Sequence, residues 1–468
     1  MNGSQALTGV VPEPTVWHVP ASAWRWAVLA GIVTGAMYAL SPLTVLVAIG
    51  IVPVFRWAVC DLEGFERRAV VALIALALAL RVLAIILLVL TADRNASSFA
   101  TFFGDEQFYL ERASRLYSVW MGIPISRESF AYAYDVTGYS SYQELLIFLQ
   151  VLVGPVPYSL HLLNSLLFLC TAILLYRTVR RSFGPAAALI GLAYLLFLPS
   201  LFMWSVSALK ESLFLLVTSA VLVSAVVAAR ERGVSAKRIA AIGVILVGGW
   251  WLEPLRVGGR EMTLGGVALG FLLRIVTLRR WLAAVAAAVL IAGGAVVWRT
   301  GFPAPVKTRL ELAARYHRGY VWTTGHSFKL LDQHHYSPPW DPRVPPSLTT
   351  TEAVRYLVRA PIHFVVEPIP WEIQSRVELA YLPELIVWYC AVLLVPFGVA
   401  AGLRRDPLLT SVLAGYSLVT IGIIALNSGN VGTLIRHRAL VVPYLGWLSA
   451  MGFVSLAFAR RRERSREL

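Results

Sequence analysis

Charged residues are scarce in this sequence, and apolar residues are abundant. Only 14% of the 468 residues are charged, 58% are hydrophobic, and the mean hydropathy is +0.69. A water-soluble domain of this size needs more surface charge than this composition offers. The composition therefore excludes a soluble globular protein and predicts an integral membrane protein.

Sequence features of several other protein classes are missing as well. The three cysteines, Cys60, Cys170 and Cys390, show no CxxC spacing, so we expect packing residues and neither a disulfide nor a cysteine-bound metal. The chain lacks a P-loop and a dinucleotide fingerprint, and no nucleotide site is expected. Residues 1–23 contain no Lys or Arg, so they lack the basic start of a signal peptide, and the first span is predicted to stay uncleaved.

The basic residues that are present lie in short clusters between apolar runs. A net charge of +15 would suggest nucleic-acid binding in a soluble protein, but this clustered pattern is the one that sets membrane topology. No nucleic-acid partner is expected. The six clusters are 66–68, 177–181, 230–238, 279–280, 404–405 and 460–466.

The apolar runs have the length of membrane-spanning helices, for which about 20 residues are needed. The fold class predicted is an all-α polytopic membrane protein with about 12–13 transmembrane helices. The run 142–153 is short, so it is either a re-entrant or tilted segment or a thirteenth crossing. The twelve predicted spans are 24–41, 43–59, 69–91, 158–177, 185–205, 208–229, 239–255, 261–278, 281–299, 382–401, 408–427 and 438–458.

Twelve crossings with all six basic clusters in the cytoplasm give a self-consistent topology, in which both termini are cytoplasmic. The loop 92–141 then lies outside, as does a larger segment that could form a small subdomain. The predicted organisation is a cytoplasmic tail at 1–23, an N-terminal transmembrane module at 24–299, the outer segment 300–381, and a C-terminal transmembrane module with a basic cytoplasmic tail at 382–468.

The loop 92–141 contains two adjacent carboxylates, Asp105 and Glu106, within the sequence FGDEQFY. A carboxylate just beyond a span could remove a proton from an incoming hydroxyl group. Alternatively, Asp105 caps a helix that begins at Glu106, with Glu111 and Arg115 paired on the helix surface.

Lys210 and Glu211 stand at the outer start of a span that is otherwise free of charge. Ionisable residues at membrane depth are costly and are therefore candidates for function. The alternative is that the two form an ion pair at the membrane interface.

Two further outer turns contain arginine. Arg256 and Arg260 lie where Pro and Gly break a helix, and Arg436, His437 and Arg438 form the most basic predicted outer cluster. Guanidinium groups bind phosphate through a planar fork, so a bound anion would explain these residues. Contact with lipid headgroups, or a plain tight turn at 256–260, is the alternative.

The segment 300–381 contains His317, His326, His334 and His335. A divalent metal is possible there, but no pair has the spacing of a known metal site, so we predict a loop that contacts a sugar or a partner and assign no metal. The residues 364–384 mix Trp, Pro and acids, which is typical of a segment lying on the membrane surface.

The order of these elements resembles the polyprenyl-phosphate-dependent glycosyltransferases of the GT-C fold, the group that contains protein O-mannosyltransferases and lipid A aminoarabinose transferases. The resemblance rests on GDEQFY, on the stretch from YSSYQELL to SALKESL, on the arginine-bearing turns and on IRHRALVVPYLGWL. It covers most of residues 99–229 and 427–450. It implies a GT-C-like fold with outer juxtamembrane helices and one larger outer loop.

The resemblance also implies a function, which is inverting transfer of a sugar from a polyprenyl-phosphate donor to a glycan, lipid or protein acceptor of the cell envelope. The location implied is the outer face of a bacterial-type inner membrane, with membrane lipids as further partners and no certain cofactor. Asp105 would be the catalytic base and Glu106 its neighbour. The residues assigned to substrate or lipid phosphate are Tyr109, Lys210, Glu211, Arg256, Arg260, Arg436, His437 and Arg438.

Two other functions remain open on the sequence. A polysaccharide polymerase or O-antigen-ligase-like enzyme would use outer Arg and His residues on a polyprenyl pyrophosphate-linked glycan. A transporter or flippase of lipid-linked glycans would show inverted repeats and paired broken helices. The sequence shows one broken helix and no internal repeat.

Overall fold

The computed structural model describes residues 20–92, 101–135, 140–154, 157–337, 341, 343–373 and 375–467. Most of the predicted tail 1–23 and parts of the loop 92–141 lie outside these residues. The regular structure of the described residues is helical, apart from one isolated bridge between Ser327 and Asn430. In chain order the helices are α1 Ala21–Leu40, α2 Pro42–Val59, α3 Gly64–Thr91, α4 Gly104–Trp120, α5 Arg127–Ala133, α6 Ser141–Val153, α7 Pro157–Phe183, α8 Pro185–Phe197, α9 Pro199–Val206, α10 Glu211–Arg230, α11 Ala236–Leu255, α12 Gly259–Val276, α13 Arg280–Thr300, α14 Ala304–Val321, a 3-10 helix Gln333–Tyr336, α15 Thr350–Val366, α16 Arg376–Arg405, α17 Pro407–Asn427, α18 Val431–Arg438 and α19 Val442–Glu467.

Eight helices among the described residues are long and apolar enough to cross a membrane: α2, α3, α7, α10, α11, α13, α16 and α17. The number is ten if each of two bent pairs counts as one span, α8 with α9 at 60° and α18 with α19 at 64°. These ten correspond to ten of the twelve predicted spans, which confirms a polytopic membrane protein. The predicted spans 24–41 and 261–278 also form helices, α1 and α12, which are not among these ten.

The short run 142–153 forms α6, which has 13 residues. At 1.5 Å per residue this helix is about 20 Å long, whereas the hydrocarbon core is about 30 Å thick. Its buried residues, among them Tyr142, Leu146 and Gln150, repeat with helical spacing. The helix therefore packs one face into the protein and is too short to be a thirteenth crossing by itself.

Helix α10 shows that the bundle has two chemically different ends. Glu211 begins this helix of 20 residues and Arg230 ends it, about 30 Å away. At the Arg230 end, Arg230 pairs with Asp406, and Arg180 Nε donates to Glu66 Oε1 at 2.6 Å. Four of the six basic clusters, 66–68, 177–181, 230–238 and 404–405, thus meet at this end, which we call the basic end.

Glycines bring α12 and α17 into close contact. A Cβ atom added to Gly266 would lie 2.5 Å from Tyr416 Cα, and one added to Gly270 would lie 2.6 Å from Val412 Cα. Small residues are the usual means by which membrane helices approach each other this closely. The contact fixes α17, and through it the start of α18.

The segment between α13 and α16 forms a helical layer that packs on the end of α17 opposite the basic end. Its main elements are α14, the 3-10 helix and α15. The Tyr356 hydroxyl of α15 donates to the Leu426 carbonyl, and His317 Nδ1 of α14 lies 2.6 Å from the Ser428 carbonyl oxygen. The predicted outer segment 300–381 is therefore built mainly of helices.

We expect Gly270→Ala to lower the free energy of unfolding by about 1–3 kcal/mol, because the added methyl group overpacks the α12–α17 contact. The measurement is the thermal midpoint of the purified protein in one detergent. Gly265→Ala is the matched control on the same helix, since its added Cβ would meet only Val419 Cγ1, at 3.6 Å. Equal midpoints for the two variants would contradict the packing argument.

Candidate functional site

Arg436 is the centre of a charged cluster at the end of the bundle opposite the basic end. Its Nε donates to Glu211 Oε1 at 2.8 Å, and its Nη1 pairs with the Asp105 carboxylate. The Asn430 side chain caps α18 by accepting from the backbone N–H groups of Gly432 and Thr433. The Asn430 cap thus sets where α18 begins, and α18 places Arg436 between α4 and α10.

Other predicted residues surround this centre. Arg256 Nη1 lies 3.5 Å from Glu211 Oε1, and Lys210 Nζ lies 5.6 Å from the centroid of the Tyr109 ring. Glu211 therefore pairs with two arginines and not, as one alternative had it, with Lys210. Seven of the ten predicted site residues come together here: Asp105, Tyr109, Lys210, Glu211, Arg256, Arg436 and His437.

Burial shapes the charges of this cluster. It lowers the pKa of Lys210 to about 8, with the nearby positive charge of Arg256 as the next cause, and it also lowers the pKa of Arg256. Three cationic side chains, Lys210, Arg256 and Arg436, face two carboxylates, Asp105 and Glu211. The cluster has an excess of one positive charge near neutral pH, which favours binding of an anion.

Aromatic side chains that the sequence reasoning missed border the cluster. The Arg436 guanidinium lies 5.8 Å from the centroid of the Trp204 ring, and the rings of Trp204 and Phe103 are 4.6 Å apart. Trp204 lies in α9, the short half of a bent span. The only sequence signal was its position just before Lys210 and Glu211.

A cavity of about 680 Å³ opens beside Asp105 and Arg436. Its lining includes three further acid–base groups, His326, Glu378 and Glu384. His326 Nδ1 lies 3.1 Å from Glu378 Oε2, and the backbone N–H of Ser200 donates to Glu384 Oε2 at 2.7 Å.

Glu378 and Glu384 belong to the segment 364–384, which was predicted to lie on the membrane surface. In the structure this segment comprises the end of α15, the described residues that follow it and the start of α16, so its place on the membrane surface stays a prediction. Carboxylates at the start of an apolar helix were the signal that could have identified both residues as cavity residues.

Glu106 lies apart from its neighbour Asp105. Asp105 is exposed, whereas Glu106 is completely buried, with its Oε2 3.9 Å from His161 Nδ1. Desolvation raises the pKa of Glu106 to about 8. Glu106 is therefore largely protonated at pH 7 and faces the protein interior, and it is not among the residues that line the cavity.

The alternative in which Asp105 caps a helix is wrong. Helix α4 begins at Gly104, and the residue at its cap position is Phe103, which makes no capping hydrogen bond through its side chain. Glu111 accepts a hydrogen bond from Gln107 Nε2 at 2.7 Å. The Asp105 carboxylate is thus available to Arg436.

Arg438 and Arg260 are not brought to the cluster. Arg438 is buried, and its Nη2 donates to the carbonyl oxygens of Phe364 at 2.5 Å and Glu367 at 2.7 Å. Its guanidinium lies 4.9 Å from the centroid of the Trp388 ring, so it anchors α18 to the end of α15. Arg260 is exposed, and its closest acidic partner is the neighbouring Glu261, at 3.8 Å.

The four histidines singled out in the segment 300–381 divide into three groups. His317 is buried, its pKa is lowered to about 4 by desolvation, and its Nε2 lies 2.8 Å from the Tyr336 hydroxyl. His326 lines the cavity with Glu378. His334 and His335 lie beside Glu352 in a group whose ligand atoms are close enough to hold a metal ion, although the sequence gave no recognised ligand spacing.

Comparisons of this chain with protein-family models, with curated proteins and with solved structures find no match. The resemblance to GT-C glycosyltransferases therefore stays a prediction.

The buried Glu106 generates a prediction about pH. Between its ordinary pKa of 4.5 and its folded pKa of about 8, the folded state binds more protons at Glu106 than the unfolded state does. Glu106 therefore makes its full contribution to the free energy of unfolding at low pH. That contribution is lost as the pH rises through this window, and the loss is at most about 1.4 kcal/mol per unit of pKa difference.

Glu106→Gln, which cannot ionise, is expected to resemble the parent at pH 5 and to have the higher thermal midpoint at pH 9. The measurement is a series of melting curves from pH 5 to 9, with Glu111→Gln on the same helix as the control. A Glu106→Gln variant that follows the pH profile of the parent throughout would count against a neutral Glu106.

Proposed function

We propose that this protein is an integral membrane glycosyltransferase that moves a sugar from a polyprenyl-phosphate donor to an acceptor of the cell envelope. The observation that supports the proposal most directly is the position of Asp105. Its exposed carboxylate borders a large cavity and pairs with Arg436, which belongs to a cluster with excess positive charge. A base next to an anion site is the arrangement that transfer from a lipid phosphate requires.

The donor phosphate would bind to Arg436, Arg256 and Lys210. Because a phosphate oxygen competes with the Asp105 carboxylate for the Arg436 guanidinium, donor binding would free Asp105 to act as a base. Asp105 then takes the proton of an acceptor hydroxyl, and the hydroxyl oxygen forms a bond to the anomeric carbon. The bond from that carbon to the phosphate oxygen breaks, and the lipid phosphate leaves with the electron pair.

The two ends of the bundle support a location for this reaction. The basic end contains four of the six arginine-rich clusters, so the positive-inside rule assigns it to the cytoplasm. The cluster at Glu211 lies at the opposite end of α10. The proposed reaction therefore takes place on the non-cytoplasmic face of the cell membrane, where lipid-linked sugars are available without a nucleotide.

The cavity offers surfaces for an acceptor. Trp204 and Tyr381 supply aromatic faces, and Glu378 and Glu384 supply carboxylate oxygens that can accept hydrogen bonds from hydroxyl groups. Such a mixture of aromatic and acidic groups suits a polyhydroxylated ligand. A glycan, or a lipid or protein with an exposed hydroxyl group, would satisfy it.

The test of the proposal is to incubate the purified protein in nanodiscs with radiolabelled polyprenyl-phosphate sugars and to measure loss of label from the lipid. Asp105→Asn is expected to lower the transfer rate at least about 100-fold, since it removes the general base. Glu128→Gln, an exposed change on α5 of the same loop, is the control and should keep the parent rate.

Absence of turnover by the parent with every such lipid would contradict the proposal. If the protein instead turns over a pyrophosphate-linked glycan and Asp105→Asn keeps that activity, a polymerase or ligase is the better description. Transport of a lipid-linked glycan across vesicles without any transfer would identify a transporter. The observation that favours this alternative is the two bent span pairs, α8 with α9 and α18 with α19, because paired broken helices are typical of transporters.

A second prediction concerns the anion site. Arg436→Lys keeps the charge and loses the planar fork, so we expect the KM for the donor to rise about 10-fold to 100-fold, equivalent to about 1.4–3 kcal/mol. Arg260→Lys is the matched control because Arg260 lies outside the cluster. A change confined to the acceptor KM would show that Arg436 serves the acceptor and not the donor phosphate.

A further inference from the structure

The cluster of His334, His335 and Glu352 lies in the outer helical layer, away from the charged cluster. His334 Nε2 lies 3.2 Å and His335 Nε2 lies 3.4 Å from the same oxygen, Glu352 Oε1. The three side chains offer ligand atoms that all lie within 4.8 Å of one another. Two imidazole nitrogens and one carboxylate oxygen thus converge on a single point.

These separations fit a tetrahedral metal centre. With metal–nitrogen and metal–oxygen bonds of about 2.0–2.2 Å, two ligand atoms of a tetrahedral zinc site lie about 3.3–3.5 Å apart. The two nitrogen–oxygen distances here are close to that value. The two histidine nitrogens lie within 4.8 Å of each other, so a modest adjustment of these side chains would complete the tetrahedron.

Local structure holds the ligands in place before any metal arrives. Glu352 Oε2 accepts hydrogen bonds from the backbone N–H and the hydroxyl of Thr349, both at 2.8 Å, in a capping box at the start of α15. This leaves Oε1 directed at the histidines. His335 is only 9% exposed, and its Nε2 has no hydrogen-bond partner of good geometry among the described residues, which is costly unless something else binds it.

We propose that His334, His335 and Glu352 bind one Zn²⁺ ion, with a water molecule in the fourth position. Two imidazoles and a carboxylate suit zinc, whereas Mg²⁺ and Ca²⁺ prefer sites made of oxygen ligands alone. Adjacent histidines followed by a distant glutamate match no familiar spacing, which is why the sequence did not predict the site.

The ion would stabilise the layer that supports the proposed donor site. It would join the 3-10 helix to the start of α15, next to the ion pair in which Arg355 donates to Asp332 at 2.8 Å. The 3-10 helix ends at Tyr336, whose hydroxyl contacts His317, and His317 in turn contacts the Ser428 carbonyl just before α18. A metal here would take no direct part in the proposed transfer reaction, and its effect would be on the stability of this layer.

The test uses the full-length protein in nanodiscs, purified with a tag that contains no histidine and stripped with a chelator. Titration with ZnCl₂ against a fluorescent zinc indicator is expected to show one tight site per chain, together with a higher thermal midpoint. X-ray absorption at the zinc edge should show an N/O shell with the scattering of two imidazoles.

Glu352→Gln and His334→Ala are the diagnostic variants. Gln can still complete the capping box, so Glu352→Gln removes the anionic ligand while preserving the helix start. His334 is exposed, so its removal should not disturb folding. Each change should weaken zinc binding more than about 100-fold, beyond the usual effect of losing an outer-shell partner.

His363→Gln is the matched control, because His363 lies in the same layer and pairs with Glu367. It should leave zinc affinity unchanged. The proposal is wrong if the stripped parent binds no zinc, if zinc binds the two diagnostic variants as tightly as the parent, or if Ca²⁺ competes equally.

Discussion

The pairing of Arg436 with Glu211 and Asp105 is the interaction on which the arrangement of this protein's chemistry depends. It joins α18, α10 and α4, which are far apart in the sequence. Charges at the edge of a membrane are expensive to bury, and a buried ion pair often contributes little net stability. A cluster of several such charges is therefore better explained by binding than by stability.

The packing around the cluster holds Arg436 in position. The α12–α17 glycine contact fixes α17, the Asn430 cap starts α18, and Arg438 anchors the end of α18 to α15. One bend, between α8 and α9, comes just before Trp204 in the chain, and the other, between α18 and α19, comes just after Arg436. Buried side chains bind carbonyl groups beside both bends. Arg81 donates to the Leu196 carbonyl at 3.2 Å, and the Tyr416 hydroxyl donates to the Leu440 carbonyl at 3.1 Å. Irregular backbone at membrane depth is tolerated where such partners are present.

The spans could be predicted from the sequence because apolar length is a local property. The sequence also named seven of the residues that meet in the cluster, since charges beside apolar runs are conspicuous. The sequence could not show which of Arg436 and Arg438, or which of Asp105 and Glu106, belongs to the cluster. Residues two apart on a helix point about 200° apart, and adjacent residues about 100° apart, so one member of each pair faces the cluster and the other faces the protein interior.

Other site residues depended on tertiary contacts that no local pattern reveals. Glu378 and Glu384 reach the cavity because α16 begins beside α9, and Glu352 meets His334 and His335 because α15 packs beside the 3-10 helix. Each of these contacts joins residues on separate elements, at least 17 positions apart. The spacing of residues in the sequence therefore could not predict that Glu378 and Glu384 line the cavity, and it could not predict the proposed zinc site.

The charge of the cluster also bears on which donor it would accept. Lys210, Arg256 and Arg436 exceed Asp105 and Glu211 by one charge when Lys210 is protonated, as its pKa of about 8 implies near neutral pH. A lipid phosphosugar is a phosphodiester with one negative charge, which balances that excess. A pyrophosphate-linked glycan has two, and the second would remain unpaired in a largely desolvated site. For the proposed function, the balance of charge is thus better matched by a single-phosphate donor than by a pyrophosphate-linked one.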